Sequence, residues 1–194
     1  MPTFVIDAES WTEEDDWGFT FKMLYDYIKA KAGDAGRGNE FGRLIVRAGE
    51  TLDEAFGRLK KNIDVMDVNF HGYSDAPDWF RVNGDPVSGE EFCWAIINND
   101  VHVDTVILRC CNQYPAHFEQ FFKSYGWDDI DFELPGLAPG TTTQQGNVCP
   151  HGSLDWEGNG QGHSLYMYYK KRGYFISEEE LAELRLRLLQ NIPF

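Results

Sequence analysis

The most informative segment of the chain is Val65-Met-Asp-Val-Asn-Phe70, a short and mostly apolar run that stops at His71-Gly72. Runs of this length that are rich in β-branched and aromatic residues are typical of buried β-strands. A second segment of the same kind, Val103-Asp-Thr-Val-Ile-Leu108, stops shortly before Cys110-Cys111. Both predicted strands therefore lead into side chains that can take part in catalysis.

Strands and helices alternate outward from these two segments. Further strands are predicted at residues 3–6, 43–47, 79–82 and 164–169, the third of them ending in a turn at Asn83-Gly84. Helices are predicted at residues 17–28 and 115–125 and after three capping boxes, which are Thr51-x-x-Glu54 (through Ile63), Ser88-x-x-Glu91 (through Ile97) and Ser177-x-x-Glu180. This alternation predicts an α/β domain of three layers (α/β/α) with a mostly parallel sheet.

The domain organisation follows from the same pattern. Residues 126–162 are rich in Gly, Pro and Thr and are predicted to be mostly loop, and the part that follows is too small to fold alone. We therefore expect residues 1–194 to form one domain, with its core in 3–125 and a loop-rich part, 126–194, completing it.

Composition and charge exclude several classes of protein. The 194 residues are 42% hydrophobic and 15% aromatic, which argues against disorder, and no apolar run is long enough for a membrane span. The formal net charge is −15, and six acids lie in each of two stretches without Lys or Arg, residues 1–17 and 124–169. Without a membrane span or a signal-peptide pattern at the acidic start of the chain, we expect a cytoplasmic protein that does not bind membranes. Because an anionic surface repels nucleic acid and favours basic partners, we expect no binding of nucleic acid.

The cysteines predict no disulfide framework and no zinc site. Paired short spacings of the C-x2-C kind are missing, so we expect no metal and no cofactor. Cys93 falls in a helical pattern and is expected to be a small buried residue. A second His-Gly pair, His151-Gly152, lies close to Cys149 and could form an alternative dyad or, with His163, a metal site, but its loop-like surroundings disfavour fixed geometry.

The strand ends at His71 and at Cys110-Cys111 favour nucleophilic chemistry. Consecutive strands are often neighbours in a sheet, and an imidazole beside a thiol can turn it into a nucleophilic thiolate. The amides of Gly72 and of the cysteine could then stabilise an oxyanion. A lone histidine or cysteine at a strand end is more often structural than catalytic. Because the two lie at matching ends of consecutive strands, the catalytic interpretation becomes about as favourable as the structural one.

The order of these motifs resembles that of a known family. His-Gly follows the third strand, Gly-x-Pro-Val-Ser-Gly-Glu-Glu leads into a helix at residues 84–91, and Ile107-Leu-Arg-Cys-Cys111 is similar to the Ile-Leu-Asp-Ala-Cys pattern of caspase-like cysteine peptidases. That family includes caspases, metacaspases, separase, gingipain, clostripain and the cysteine protease domains of bacterial toxins. The resemblance covers residues 3–125, chiefly 64–112.

This resemblance implies a caspase-like fold and a set of catalytic roles. Cys111 would be the nucleophile, His71 the base, and the amides of Gly72 and Cys111 the oxyanion donors. Two departures stand out: Cys111-Asn-Gln-Tyr-Pro115 lacks the glycine or serine that many members have after the nucleophile, and Cys110 is an alternative nucleophile.

The predicted function is a cysteine endopeptidase that cleaves a protein or peptide substrate, with a preference for basic residues. Members of the family recognise the substrate side chain through a charged pocket. Asp75, Asp78 and Asp155 are the acidic candidates for a pocket that binds a basic side chain. Anionic groups could instead be held by basic residues, of which Arg81, Arg109 and Lys123 are the candidates. Two alternatives are a non-catalytic acidic interaction protein (an immunity or inhibitor protein, or an inactive caspase-like homologue) that binds a basic partner, and a thiol-dependent hydrolase or transferase acting on a small molecule.

Overall fold

The structure is a computed structural model, which describes residues 2–10, 29–34, 36–73, 75–110 and 112–134 together with positions 26, 179, 183 and 186. The strand predicted at residues 164–169, most of the helix predicted at 17–28 and most of the helix predicted after Ser177 lie outside these residues. Three helices of the described part have defined bounds, namely α1 (Leu52–Phe56), α2 (Gly89–Asn98) and α3 (Pro115–Ser124). Residues 29–34 are also helical, and Gly38–Glu40 form a short 3-10 helix. The strands are β1 (Thr3–Ala8), β2 (Phe41–Val46), β3 (Asn62–Asn69), β4 (His71–Gly72), β5 (Trp79–Val82), β6 (Asp85–Ser88), β7 (His102–Leu108) and β8 (Asp131–Glu133).

Five strands form the main sheet in the order β2-β1-β3-β7-β8, and every pair of neighbours is parallel. Helices flank this sheet, so the predicted three-layer α/β architecture is confirmed. The chain order reverses between β1 and β3, and in such sheets ligands bind outside the carboxyl ends of the strands at the reversal. This edge is the one at which β3 runs on into His71.

A small antiparallel sheet, β4-β5-β6, follows β3 directly. The turn predicted at Asn83-Gly84 is present, with φ of 53° and 90° at the two residues, as a tight hairpin turn requires. Strand alternation buries Phe80 and Val82 and leaves Trp79 and Arg81 exposed. The small sheet thereby ties the segment after β3 to the hydrophobic core.

Two predicted elements differ from those observed. The helix predicted from Thr51 through Ile63 ends at Phe56, and Ile63 instead belongs to β3. Leu59 is nevertheless buried, as its position in the apolar pattern suggested. Residues 131–133, which were predicted to be loop, form the fifth parallel strand beside β7. In a strand of three residues, of which only Phe132 is buried, the alternation of apolar and polar residues is too short to be recognised in the sequence.

The main hydrophobic core lies between one face of the main sheet and the helices. Phe80 of the small sheet is at its centre, where its ring lies 5.4 Å from that of Phe92 in α2 and 6.1 Å from that of Phe118 in α3. The helices that follow β6 and β7 are therefore packed against the same cluster of rings. Within the described residues, no helix is both long and apolar enough to cross a membrane.

Candidate functional site

The predicted pairing of β3 with β7 is confirmed, and it continues past the last strand residues. Val68 lies opposite Leu108 in the parallel register, and the amide of Arg109 donates to the Val68 carbonyl at 2.8 Å. The Cys110 Sγ lies 3.7 Å from the same carbonyl oxygen. His71 and Cys110 thus follow neighbouring strands at one edge of the sheet.

The Cys110 side chain is fully buried and forms part of the hydrophobic core. A thiol in this position cannot meet a substrate without a rearrangement of the core. The alternative nucleophile of the sequence analysis is therefore disfavoured by burial. Cys111, the preferred nucleophile and one of the predicted oxyanion donors, lies outside the described residues, as do Asp155, Cys149, His151 and His163.

His71 is held by a strand pair rather than by an open loop. It begins β4, and its Cα partner on β5 is Arg81, while Gly72 is opposite Phe80. Both His71 and Gly72 are half-buried. Because Phe80 is anchored in the core, the backbone that carries the imidazole is fixed close to the end of β3.

The segment after Cys111 is anchored on the segment after His71. Asn112 donates from Nδ2 to the carbonyl of Tyr73 at 2.9 Å, and Gln113 donates from Nε2 to the carbonyl of Trp79 at 3.2 Å. Asn112 and Gln113 are both buried. No sequence pattern marks these contacts, because the partners are backbone carbonyls about 35 to 40 positions away.

Asp78 joins the same two segments through its side chain. Its Oδ1 accepts a hydrogen bond from the Tyr114 amide at 2.8 Å, and its Oδ2 lies 2.6 Å from Nδ1 of His117. Both carboxylate oxygens therefore have partners within the chain, with which the predicted substrate-binding role would have to compete. Asp75, the other acid predicted in this segment, is exposed.

A row of buried polar side chains crosses the other face of the sheet. Arg43 Nε lies 2.6 Å from Asp7 Oδ2, and Asn69 donates to Asp7 Oδ1 at 2.7 Å. Arg109 and Asp67 form a second pair. The sequence indicated this row, because Asp67 and Asn69 alternate with apolar residues in β3, a pattern typical of a strand with one polar face.

Burial raises the pKa of both aspartates above its ordinary value. The cationic partners, Arg43 beside Asp7 and Arg109 beside Asp67, oppose this effect without cancelling it. The guanidinium of Arg109 is itself buried and bonded to Asp67, which differs from the sequence-based interpretation that it could hold an anionic substrate group.

Cys93 has the buried position that its helical pattern predicted, with 1% of its surface exposed. Burial raises the pKa of its thiol strongly, and the nearby carboxylates of Asp78 and Glu90 raise it further. A thiol with a raised pKa is a poor nucleophile at neutral pH. Cys93 is therefore a structural residue.

Comparison with known proteins adds no relative: no protein-family model, no curated protein and no solved structure matches this chain. Among the described residues, no three His, Cys, Asp or Glu side chains are grouped as metal ligands.

Proposed function

We propose that the protein is a cysteine endopeptidase of caspase-like type, with Cys111 as nucleophile and His71 as the general base. The observation that carries the proposal concerns the chain neighbours of Cys111. Cys110 contacts the carbonyl of Val68, and Asn112 contacts the carbonyl of Tyr73. These two contacts lie on either side of His71 along the chain, so both chain neighbours of Cys111 contact the segment that carries the imidazole.

The proposed reaction is acyl transfer through a thioester. His71 takes the proton of the Cys111 thiol, and the thiolate attacks the carbonyl carbon of the scissile peptide bond. The amides of Gly72 and Cys111 stabilise the resulting oxyanion, and the imidazolium gives its proton to the leaving amine. A water molecule, deprotonated by His71, then hydrolyses the thioester and restores the thiol.

The charge of the chain supports a basic substrate. The formal net charge is −15, and Asp75 is exposed in the segment that follows His71. Asp155 is the further acidic candidate. A carboxylate near the scissile bond would pair with a Lys or Arg side chain of the substrate, and long-range attraction would speed the encounter of the two molecules.

Covalent labelling with peptidyl acyloxymethyl ketones tests the proposal. The expected result is that wild type reacts at Cys111, faster with a probe that presents Arg than with one that presents Asp. Cys110→Ala serves as the matched control and should still label, whereas Cys111→Ala should not. Labelling of Cys111→Ala as strong as that of wild type would show that the nucleophile is assigned wrongly.

The same experiment distinguishes the non-catalytic alternative. A folded wild-type chain that reacts with none of the probes contradicts the peptidase proposal and favours an acidic interaction protein. That protein would bind its basic partner in a strongly salt-dependent manner. Replacing His71 and Cys111 together would leave its partner binding intact.

A further inference from the structure

Asp78 has an unusual concentration of polar contacts for a residue in an irregular segment. Its amide donates to the Asn112 carbonyl at 3.1 Å, and its carbonyl accepts from the Gly89 amide at 2.6 Å. Its two carboxylate oxygens are bonded to the Tyr114 amide and to His117. The backbone and side chain of one residue thus connect the segment after His71 with the segment after Cys111 and with the start of α2.

The backbone at this junction is held in a rare conformation. Asp78 has a φ of 59° and Asn112 a φ of 57°, both in the left-handed region. Asp and Asn adopt this region more readily than most residues, but it remains unfavourable unless the surroundings fix it. Gly89 allows the close approach, since a Cβ there would lie 2.9 Å from the Asp78 carbonyl oxygen.

The Asp78 carboxylate is positioned to hold the segment at Tyr114 and His117 rather than to bind a substrate. Its side chain is 20% exposed, and its partner His117 has a side chain that is 60% exposed and stacks on the Tyr114 ring at a centroid distance of 5.0 Å. Charge-assisted hydrogen bonds to a backbone amide and to an imidazole are stronger than neutral ones. They fix Tyr114, three residues after Cys111, against the segment that carries His71.

We infer that Asp78 is a positioning residue for the site formed by Cys111 and His71, an inference that rests on the proposed peptidase function. Its carboxylate sets the distance between the two segments that carry the catalytic groups. Small displacements of reacting groups are costly, since a misplacement of about 1 Å can slow a reaction by roughly 100-fold. Loss of the carboxylate should therefore slow the chemical step and leave probe binding intact.

Three variants separate the side chain from the backbone. Asp78→Gly removes the carboxylate and tolerates the positive φ, whereas Asp78→Asn keeps an oxygen that can accept from the Tyr114 amide. The matched control is Asp100→Gly, because Asp100 also has a positive φ, 51°, and also lies within 4 Å of a histidine, His102. Asp100 precedes β7 and is at the opposite edge of the sheet from the site.

The first measurement is the labelling of Cys111 by the arginine acyloxymethyl ketone, resolved into kinact and KI. Asp78→Gly should lower kinact by about 10- to 100-fold with KI within about twofold of wild type. Asp78→Asn should recover most of this loss, and Asp100→Gly should match wild type. A raised KI with unchanged kinact would make Asp78 a substrate-binding residue and overturn the inference, as would wild-type values of both constants.

Amide hydrogen exchange tests the structural premise of the inference, that Asp78 holds the segment after Cys111 in place, independently of the peptidase proposal. Should wild type not label, the proposed function and the catalytic part of the inference are contradicted, and the exchange of the Gln113 and Tyr114 amides then tests only whether the Asp78 carboxylate holds this segment. Faster exchange of these amides in Asp78→Gly, and not in Asp100→Gly, supports it. Equal exchange in both variants and wild type overturns it, and a thermal melt of each variant confirms that the compared chains are folded.

Discussion

Arg109 Nε lies 2.5 Å from Asp67 Oδ1, and both side chains are closed to solvent, with 1% and 0% of their side-chain surface exposed. Asp67 is in β3 four residues before His71, and Arg109 is two residues before Cys111. The ion pair therefore crosses the two strands whose continuations carry the proposed catalytic groups. A buried pair of this kind is costly to break, because the remaining charge has no water to solvate it.

Arg109→Met should destabilise the protein by about 3–5 kcal/mol, since it leaves the Asp67 carboxylate buried without its cation. The free energy of unfolding from urea titration measures the effect. The double variant Asp67→Leu/Arg109→Met should regain much of the loss, because no charge then remains in the apolar surroundings. A double variant as unstable as the single one would mean that the loss comes from packing and not from the broken ion pair.

Stability should depend on pH through Asp67. Its pKa is raised by burial, so the folded state holds the proton more tightly than the unfolded chain, in which an aspartate has a pKa of about 3.9. The stability contributed by this group is present below that value and is lost as the pH rises through the folded-state pKa. Asp67→Asn does not titrate, so its stability relative to wild type should improve as the pH rises above about 4.

Urea unfolding of wild type and Asp67→Asn at several pH values gives this comparison directly. The other acids, including Asp7 with its own raised pKa, are common to both chains and largely cancel in the difference. Parallel stability–pH curves would contradict the account of Asp67.

The thiols of Cys93 and Cys110 should be protected in the folded protein. Both side chains are buried, with 1% and 0% exposed, and burial raises the pKa of Cys93. A brief pulse of iodoacetamide at pH 7.5, followed by peptide mass spectrometry, should leave both unmodified, whereas a pulse in denaturing urea should modify both. Rapid native modification of Cys110 would reopen its role as the nucleophile.

Neighbouring residues of β5 should differ sharply in their effect on stability. Phe80 is fully buried between Phe70, Phe92 and Phe118, whereas Trp79 is 39% exposed. Phe80→Ala should cost about 3–5 kcal/mol through lost apolar burial and the cavity left behind. Trp79→Ala is the matched control and should cost well under half as much, as measured by thermal or urea unfolding. Similar losses would show that the small sheet is not anchored through Phe80.

Local patterns in the sequence predicted much of the fold. The strands predicted at Val65–Phe70 and Val103–Leu108 correspond to β3 and β7, whose apolar residues mark them directly. The capping box Ser88-x-x-Glu91 begins a helix where predicted, with both of its reciprocal hydrogen bonds present. The box at Thr51 is also present, but apolar spacing that continued across Leu59 and Ile63 extended the predicted helix into a strand. Hydrophobic spacing alone does not mark the point at which one element gives way to the next.

The arrangement around the site was predictable only in part. The strand ends carrying His71 and Cys110-Cys111 were recognisable because each follows an apolar run. The contacts of Asp78 were not, since they join it to the Tyr114 amide and the His117 imidazole, both more than thirty positions away, and no local pattern marks such contacts. The acidic character of Asp78 suggested substrate binding, whereas its position in the fold gives both of its oxygens partners within the chain.

The pH dependence of Cys111 alkylation tests the pairing of Cys111 with His71 most directly, because it needs no knowledge of the substrate. The rate of modification by iodoacetamide is followed at Cys111 by peptide mass spectrometry in wild type and in His71→Ala. In wild type the rate should reach its plateau well below the ordinary thiol pKa of about 8.5, since the imidazolium stabilises the thiolate. In His71→Ala the inflection should move up to about 8.5. Identical profiles in the two proteins would contradict the proposed dyad.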